Sequence, residues 1–167
     1  MKKAVLLCGG TGTRLRPATF TTNKHLLAIL NEPMILYPLR TLKRLGVTDV
    51  LLITGGNHIG GFAEFLGDGS RYGFNLTYKV QKEAGGIAQA LSLAESFYDL
   101  SREKVITILG DNIFDNDSIM ESLSKQQQGT FPTSSSVLFL KKVPDAYRFG
   151  VAEVKDNVIV SIEEKPI

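Results

Sequence analysis

Along the first two thirds of the chain, apolar residues fall into short continuous runs separated by stretches of helical spacing. Ala4-Val5-Leu6-Leu7, Asp49-Val50-Leu51-Leu52-Ile53-Thr54 and Lys104-Val105-Ile106-Thr107-Ile108-Leu109 are such runs. A strand in the middle of a parallel sheet is covered on both faces, so it is apolar at nearly every position. Leu76-Thr77-Tyr78-Lys79-Val80 alternates instead, which predicts a strand with one face less buried. Between the strands, Ile35, Leu39, Leu42 and Leu45 recur at helical spacing and Gly46 follows as a stop signal. Ala90, Leu93, Ala94 and Phe97 form a second stripe, and Ile119, Met120 and Leu123 a third behind a cap at Asn116 or Asp117. Repeated strand–helix–strand units connect by right-handed crossovers, so the pattern predicts an α/β fold with a doubly wound, mostly parallel sheet and helices on both faces. The last third changes character: 134–140 reads as a strand, and 151–154 with 158–162 as a hairpin around Lys155-Asp156-Asn157. Neither an internal repeat nor a splitting linker is evident, so 1–167 is expected to be a single domain.

Composition narrows the class. The 167 residues suffice for one domain with a sizeable core and are too few for two ordinary ones. At 43% hydrophobic and 22% charged, the chain is globular rather than disordered. The net charge of +2 is spread thinly apart from Lys141-Lys142 and the Arg14/Arg16 pair, which argues against a nucleic-acid partner. The lone Cys8 excludes an intrachain disulfide framework, and at the end of an apolar run it reads as a small buried residue. The first apolar run is too short for a signal peptide or a membrane span, so no membrane partner and a reducing cytoplasm are expected.

The densest chemical signal is Cys8-Gly9-Gly10-Thr11-Gly12-Thr13-Arg14-Leu15, directly after the first strand. Glycines let a backbone turn sharply and approach a ligand, and successive free N–H groups can ring a phosphate. Arg14 adds a planar cation suited to phosphate oxygens. A P-loop is excluded because no lysine stands at the required place. A dinucleotide fingerprint counted from Gly10 would end on Leu15 rather than glycine. The competing interpretation is a glycine-rich surface turn, against which stands its position at a strand C-terminus, where open α/β sheets bind ligands.

The series continues in order through Pro17-Ala18-Thr19, Asn23-Lys24-His25-Leu26-Leu27, Asn31-Glu32-Pro33-Met34-Ile35-Leu36-Tyr37-Pro38-Leu39, Leu66-Gly67-Asp68-Gly69-Ser70, Gly86-Ile87-Ala88-Gln89-Ala90, Leu109-Gly110-Asp111-Asn112, Arg148-Phe149-Gly150-Val151 and Glu163-Glu164-Lys165-Pro166. On these motifs the whole chain resembles the sugar-1-phosphate nucleotidyltransferases, and within them the glucose-1-phosphate thymidylyltransferases. The resemblance implies a Rossmann-like sheet of the nucleotide-diphospho-sugar transferase type. It implies nucleotide binding by Leu7, Gly9, Gly10, Gly12 and Thr13, and catalytic roles on phosphate for Arg14 and Lys24. Taken alone, Lys24 is a solvated surface lysine; Ala28 departs from the proline usual after this motif. Gln81 and Gly86 are implied to meet the base, the alternative being a turn at Gly85-Gly86 with Gln89 on a helix surface. An amide both donates and accepts, so it does not choose between thymine and uracil. Asp111 is implied as the Mg²⁺ ligand, the alternative being a turn-forming Asp-Asn pair. Asn112, Gly150, Glu164 and Lys165 match sugar-phosphate positions; the alternative for Glu164 and Lys165 is a charged, frayed terminus.

The implied reaction couples dTTP and glucose 1-phosphate to dTDP-glucose and pyrophosphate, with UTP as the rival donor and a non-catalytic nucleotide-binding module as the rival class. The nucleophile is a phosphate with a second pKa near ~6, so no general base is needed. A dehydrogenase fits only the alternation of strands and helices. The chain closes on a polar cluster straight after a strand, so it is expected to be C-terminally truncated. The missing segment would carry a second metal aspartate, further sugar contacts and surfaces for homo-oligomer assembly.

Overall fold

The structure, a computed structural model, describes residues 3–10, 12–83, 85–99, 103–114, 117, 120–121, 138–156, 158–164 and 166. Two compact units make up the chain, Met1–Thr130 and Phe131–Ile167.

In the first unit the elements run β1 (Lys3–Cys8), β2 (Ala28–Ile29), β3 (Glu32–Pro33), α1 (Leu36–Arg44), β4 (Asp49–Gly55), α2 (Ile59–Leu66), β5 (Asn75–Gln81), α3 (Gly86–Ser92) and β6 (Ile106–Leu109). Four strands form a sheet in the order β5-β4-β1-β6, every pairing parallel. Side chains alternate across a strand, and β1 shows what that does. Ala4, Leu6 and Cys8 pack in one core with Leu39 and Leu42 of α1 and Phe62 and Leu66 of α2. Val5 and Leu7 pack in a second core with Ala90 of α3 and Ala94. Both faces of the sheet are covered, as the continuous apolar runs require.

The helical stripe of α1 buries Leu39 and Leu42, and Gly46 ends it at φ 71° with its N–H on the Lys43 carbonyl at 3.0 Å. That left-handed position favours glycine. The helix α2 was not anticipated, because Ile59-Gly60-Gly61-Phe62 carries two residues of poor helix propensity. Phe62 and Leu66, one turn apart, hold it to the core. A side chain at Gly61 would begin 3.1 Å from Leu26, so glycine allows the close approach. The second predicted stripe is helical only to Ser92; turns then carry Ala94 and Phe97 onto the same core. Of the third stripe, Met120 is buried and Asp117 pairs with Arg44 at 2.8 Å, while Asn116, Ile119 and Leu123 lie outside the described residues. The strand expected over 104–109 begins at Ile106, where pairing with Ala4 of β1 starts.

In the second unit, β7 (Gly150–Lys155) and β8 (Val158–Glu164) form the expected antiparallel hairpin, with a register shift at Glu153/Val154. Residues 138–140 are irregular, and the rest of the expected strand 134–140 lies outside the described residues. Among the described residues no helix is long and apolar enough to cross a membrane.

Candidate functional site

From β1 the chain builds outward through β4 to β5 on one side, then returns to place β6 on the other. Strand order reverses between β1 and β6, and the connections leaving their C-terminal ends diverge there, which opens a crevice in sheets of this kind. A cleft of ≈ 290 Å³ lies at this edge. Leu7, Ile53, Ile87, Ala90 and Leu109 supply its apolar lining, and Gly9, Gly10, Lys24, Gln81, Gly86 and Asp111 its polar one. Residues from five separate stretches of chain thus meet at the ends of the parallel strands.

The centre of the cleft is an ion pair. Lys24 Nζ lies 2.6 Å from Asp111 Oδ2. Lys24 begins a short 3₁₀ turn, Lys24–Leu26, capped by Asn23. Asn23 Oδ1 accepts from the backbone N–H of His25 at 3.0 Å and from its Nδ1 at 2.6 Å. Asn23 Nδ2 donates to the carbonyl of Cys8 at 3.2 Å, which also accepts from Thr54 Oγ1 at 3.2 Å. One carbonyl at the end of β1 therefore ties the lysine turn and the end of β4 together. Ala28 pairs with Pro33 in the small β2–β3 ladder, and the lysine turn is held by Asn23.

Asp111 is carried by β6. The Gly110 N–H extends the β6–β1 ladder onto the Leu7 carbonyl at 2.8 Å. A Cβ at Gly110 would lie 2.6 Å from His25 Cδ2 and 2.8 Å from Cys8 Sγ, so this crossing admits only glycine. Beneath it His25 is buried, and burial, with the Lys24 charge, lowers its pKa from 6.5 to about 4. Its ring is neutral at pH 7, with the proton on Nδ1 facing the Asn23 carbonyl oxygen. Burial pushes the Cys8 thiol upward, with the Asp111 charge adding to it, so Cys8 is an inert core residue. For Asp111, burial raises the carboxyl, but the hydrogen bond and charge of Lys24 outweigh it and hold the group below the ordinary carboxylate range.

The glycine turn follows β1. Gly10 has φ 98° and Gly12 φ 60°, conformations that favour glycine. Thr19 Oγ1 donates to the Gly12 carbonyl at 2.7 Å, and a Cβ at Gly12 would come within 2.9 Å of Thr19. Thr13 and Arg14 stand in the next 3₁₀ turn, Thr13–Leu15, exposed and outside the cleft lining; Arg14 pairs with no described residue. Asn112 bonds Leu109 through its N–H at 3.0 Å and does not line the cleft either. Gly150 and Glu164 are cross-strand partners in the β7–β8 hairpin. Lys165, Thr11 and the side chain of Glu164 lie outside the described residues.

The cleft therefore gathers seven of the sequence-predicted positions: Leu7, Gly9, Gly10, Lys24, Gln81, Gly86 and Asp111. It also uses residues that the sequence reading left unassigned. Asn23 before a short turn carries an N-cap signal that could have been read. The burial of His25 has no local signal, because its neighbours Phe62 and Gly110 come from far along the chain.

The family model described as nucleotidyl transferase matches residues 3–167. A curated relative, glucose-1-phosphate thymidylyltransferase of Neisseria meningitidis serogroup A, is 41% identical over 165 residues, covering 98% of this chain and 56% of that protein. The protein of the same name from Neisseria gonorrhoeae is 42% identical with the same coverage. The chain thus spans about half the length of the curated relatives it matches. A solved structure of a candidate glucose-1-phosphate thymidylyltransferase from Bacillus anthracis, in complex with a sucrose, superimposes with TM-score 0.87 at 43% identity, over 98% of this chain and 64% of that one. UDP-glucose pyrophosphorylase complexed with UDP-glucose shares the fold, with TM-score 0.79 at 22% identity over 99% and 69% of the two chains.

Proposed function

The chain belongs to the nucleotidyl transferase family, and from that premise we propose that it acts as a glucose-1-phosphate thymidylyltransferase, coupling dTTP and glucose 1-phosphate to dTDP-glucose and pyrophosphate. The observation that carries this reading is the Lys24–Asp111 pair beside the glycine turn at the reversal of strand order. A cation, an anion and a close-approach backbone at one strand edge suit a phosphate chain and its metal.

Two anions must meet in this reaction, so the main work is electrostatic. Lys24 offsets phosphate charge at the cleft, and Arg14, exposed and free of described partners, is assigned to the leaving pyrophosphate. Gly9 and Gly10 let the nucleotide approach the backbone, and Gln81 with Gly86 meets the base. The sugar phosphate is already dianionic at neutral pH, so no residue need take its proton. Asn112, Gly150, Glu164 and Lys165 are assigned to the sugar phosphate.

Asp111 fits Mg²⁺ of the kind that arrives with phosphates. Its carboxylate is anionic and partly exposed at the cleft. Among the described residues no group of three or more metal-ligating side chains exists, and Mg²⁺ commonly takes one or two carboxylates and completes its shell with phosphate and water. When bound there it would supply positive charge to the phosphate oxygens. A cytoplasmic location and homo-oligomeric association complete the reading.

The test is pyrophosphate release from dTTP and glucose 1-phosphate with Mg²⁺, beside a dTTP titration on the same sample, with UTP as a second donor. Release supports transfer. Binding without release favours a nucleotide-binding module, and neither activity in a folded sample overturns the reading.

A further inference from the structure

The amide of Gln81 has a direction. Its Nε2 donates to the Gly86 carbonyl at 3.1 Å and to Gln89 Oε1 at 2.8 Å, which occupies both amide hydrogens. Gln89 Oε1 accepts in turn from the backbone N–H of Gly85 at 2.9 Å. Both ends of this relay are groups of single polarity: a backbone N–H only donates and a backbone carbonyl only accepts. Turning Gln89 over would set its NH₂ against the Gly85 N–H. Turning Gln81 over would set its oxygen against the Gly86 carbonyl. Gln81 Oε1 is thereby left on the side of Gly9, whose Cβ position it approaches to 3.3 Å, and both residues line the cleft. Among the described residues nothing donates to that oxygen.

Gly85 supports the same arrangement. Its φ of −81° is open to any residue, so the backbone does not demand glycine there. A side chain at Gly85 would collide with the Gln89 amide. The absence of a Cβ makes room for Gln89 to reach the Gly85 N–H.

We propose that Gln89 is a positioning residue for base selection: it holds the Gln81 amide so that the cleft presents a hydrogen-bond acceptor to the base. Such an acceptor matches pyrimidines whose N3 carries a hydrogen, thymine and uracil, and opposes cytosine, whose N3 is itself an acceptor. The inference rests on the nucleotide reading of the cleft given above. Gln81 alone could serve either base by rotating its amide; the relay through Gln89 to Gly85 removes that freedom.

The experiment is a calorimetric titration of the full chain with dTTP, dUTP and dCTP, unaltered and as Gln89→Met, Gln89→Glu and Gly85→Ala. The dUTP/dCTP pair isolates the 4-substituent and the N3 hydrogen. The unaltered chain is expected to prefer dUTP and dTTP over dCTP. Gln89→Met, of similar size but without the acceptor, should narrow the dUTP/dCTP ratio by about tenfold, the worth of one hydrogen bond. Gly85→Ala should narrow it too, and serves where Gln89→Met does not fold. Gln89→Glu, which still accepts from both N–H groups, should keep the ratio. A purely structural role would weaken all three nucleotides equally and leave the ratio unmoved; that result, or an unaltered chain indifferent between dUTP and dCTP, overturns the inference alone. An unaltered chain that binds none of them overturns the nucleotide reading together with it.

Discussion

At the scale of single residues, stability and proposed chemistry separate. The Lys24 and Asp111 side chains are 26% and 40% exposed, and a pair that wet contributes at most about 1 kcal/mol to folding. Arg14 is exposed without a described partner. Asp111→Asn and Arg14→Ala are therefore expected to shift the melting temperature by no more than about 4 °C, while each lowers turnover roughly a hundredfold. Parallel losses of melting temperature and activity would make these residues structural. His25 behaves in the opposite way. Its folded pKa of about 4 lies below the ordinary 6.5, so the unfolded chain takes up the proton first as pH falls. The stability from this group is complete above pH ~6.5 and is lost on the way down to pH ~4, on the order of 3 kcal/mol across the window. His25→Gln should flatten that slope in urea unfolding compared at pH 7 and pH 4.5, and an unchanged slope would refute the account of its burial.

At the scale of elements, the seam between β1 and β6 is the part that joins fold to site. Gly110 continues the ladder past β6 and passes over His25 and Cys8 at distances no Cβ can occupy. Gly110→Ala should destabilise the chain by about 1–3 kcal/mol through overpacking, measured by denaturant unfolding. It should also weaken dTTP binding, because Asp111 is the next residue; unaltered stability would mean the seam has slack. The same seam shows how far elements were legible. The strands β1 and β4 stand where the apolar runs put them, because each run is covered on both faces, and β5 stands on the alternating run, less buried than either. The strand β6 is shorter than its run because pairing with β1 begins only at Ile106. The helix α2 carries no legible stripe, because Gly60 and Gly61 dilute its pattern to two anchors, Phe62 and Leu66.

At the scale of the whole molecule, the first unit places its cleft where the order β5-β4-β1-β6 reverses direction. A ligand there would touch β1, β5, β6 and the loop carrying Lys24 together, and so would bind the folded chain and not the unfolded one. A dTTP concentration near 100 times the dissociation constant is thus expected to raise unfolding free energy by about 2.7 kcal/mol. A melting curve with and without dTTP checks this, with NAD as the control that should shift nothing.

What the sequence by itself determined is local or repetitive: the strands that are apolar on both sides, the stop at Gly46, the glycine turn after β1 and the ordered motifs that point to Lys24 and Asp111. Periodicity and turn chemistry act over a few residues, so they survive in the linear order. Only the tertiary structure decided that Lys24 and Asp111 touch, that His25 is buried and neutral beneath Gly110, and which end of the Gln81 amide faces the cleft. Each of these depends on parallel pairing or helix packing between separate segments. A side chain's partner, charge and orientation follow from that packing, because burial and hydrogen-bond polarity exist only once the segments have met.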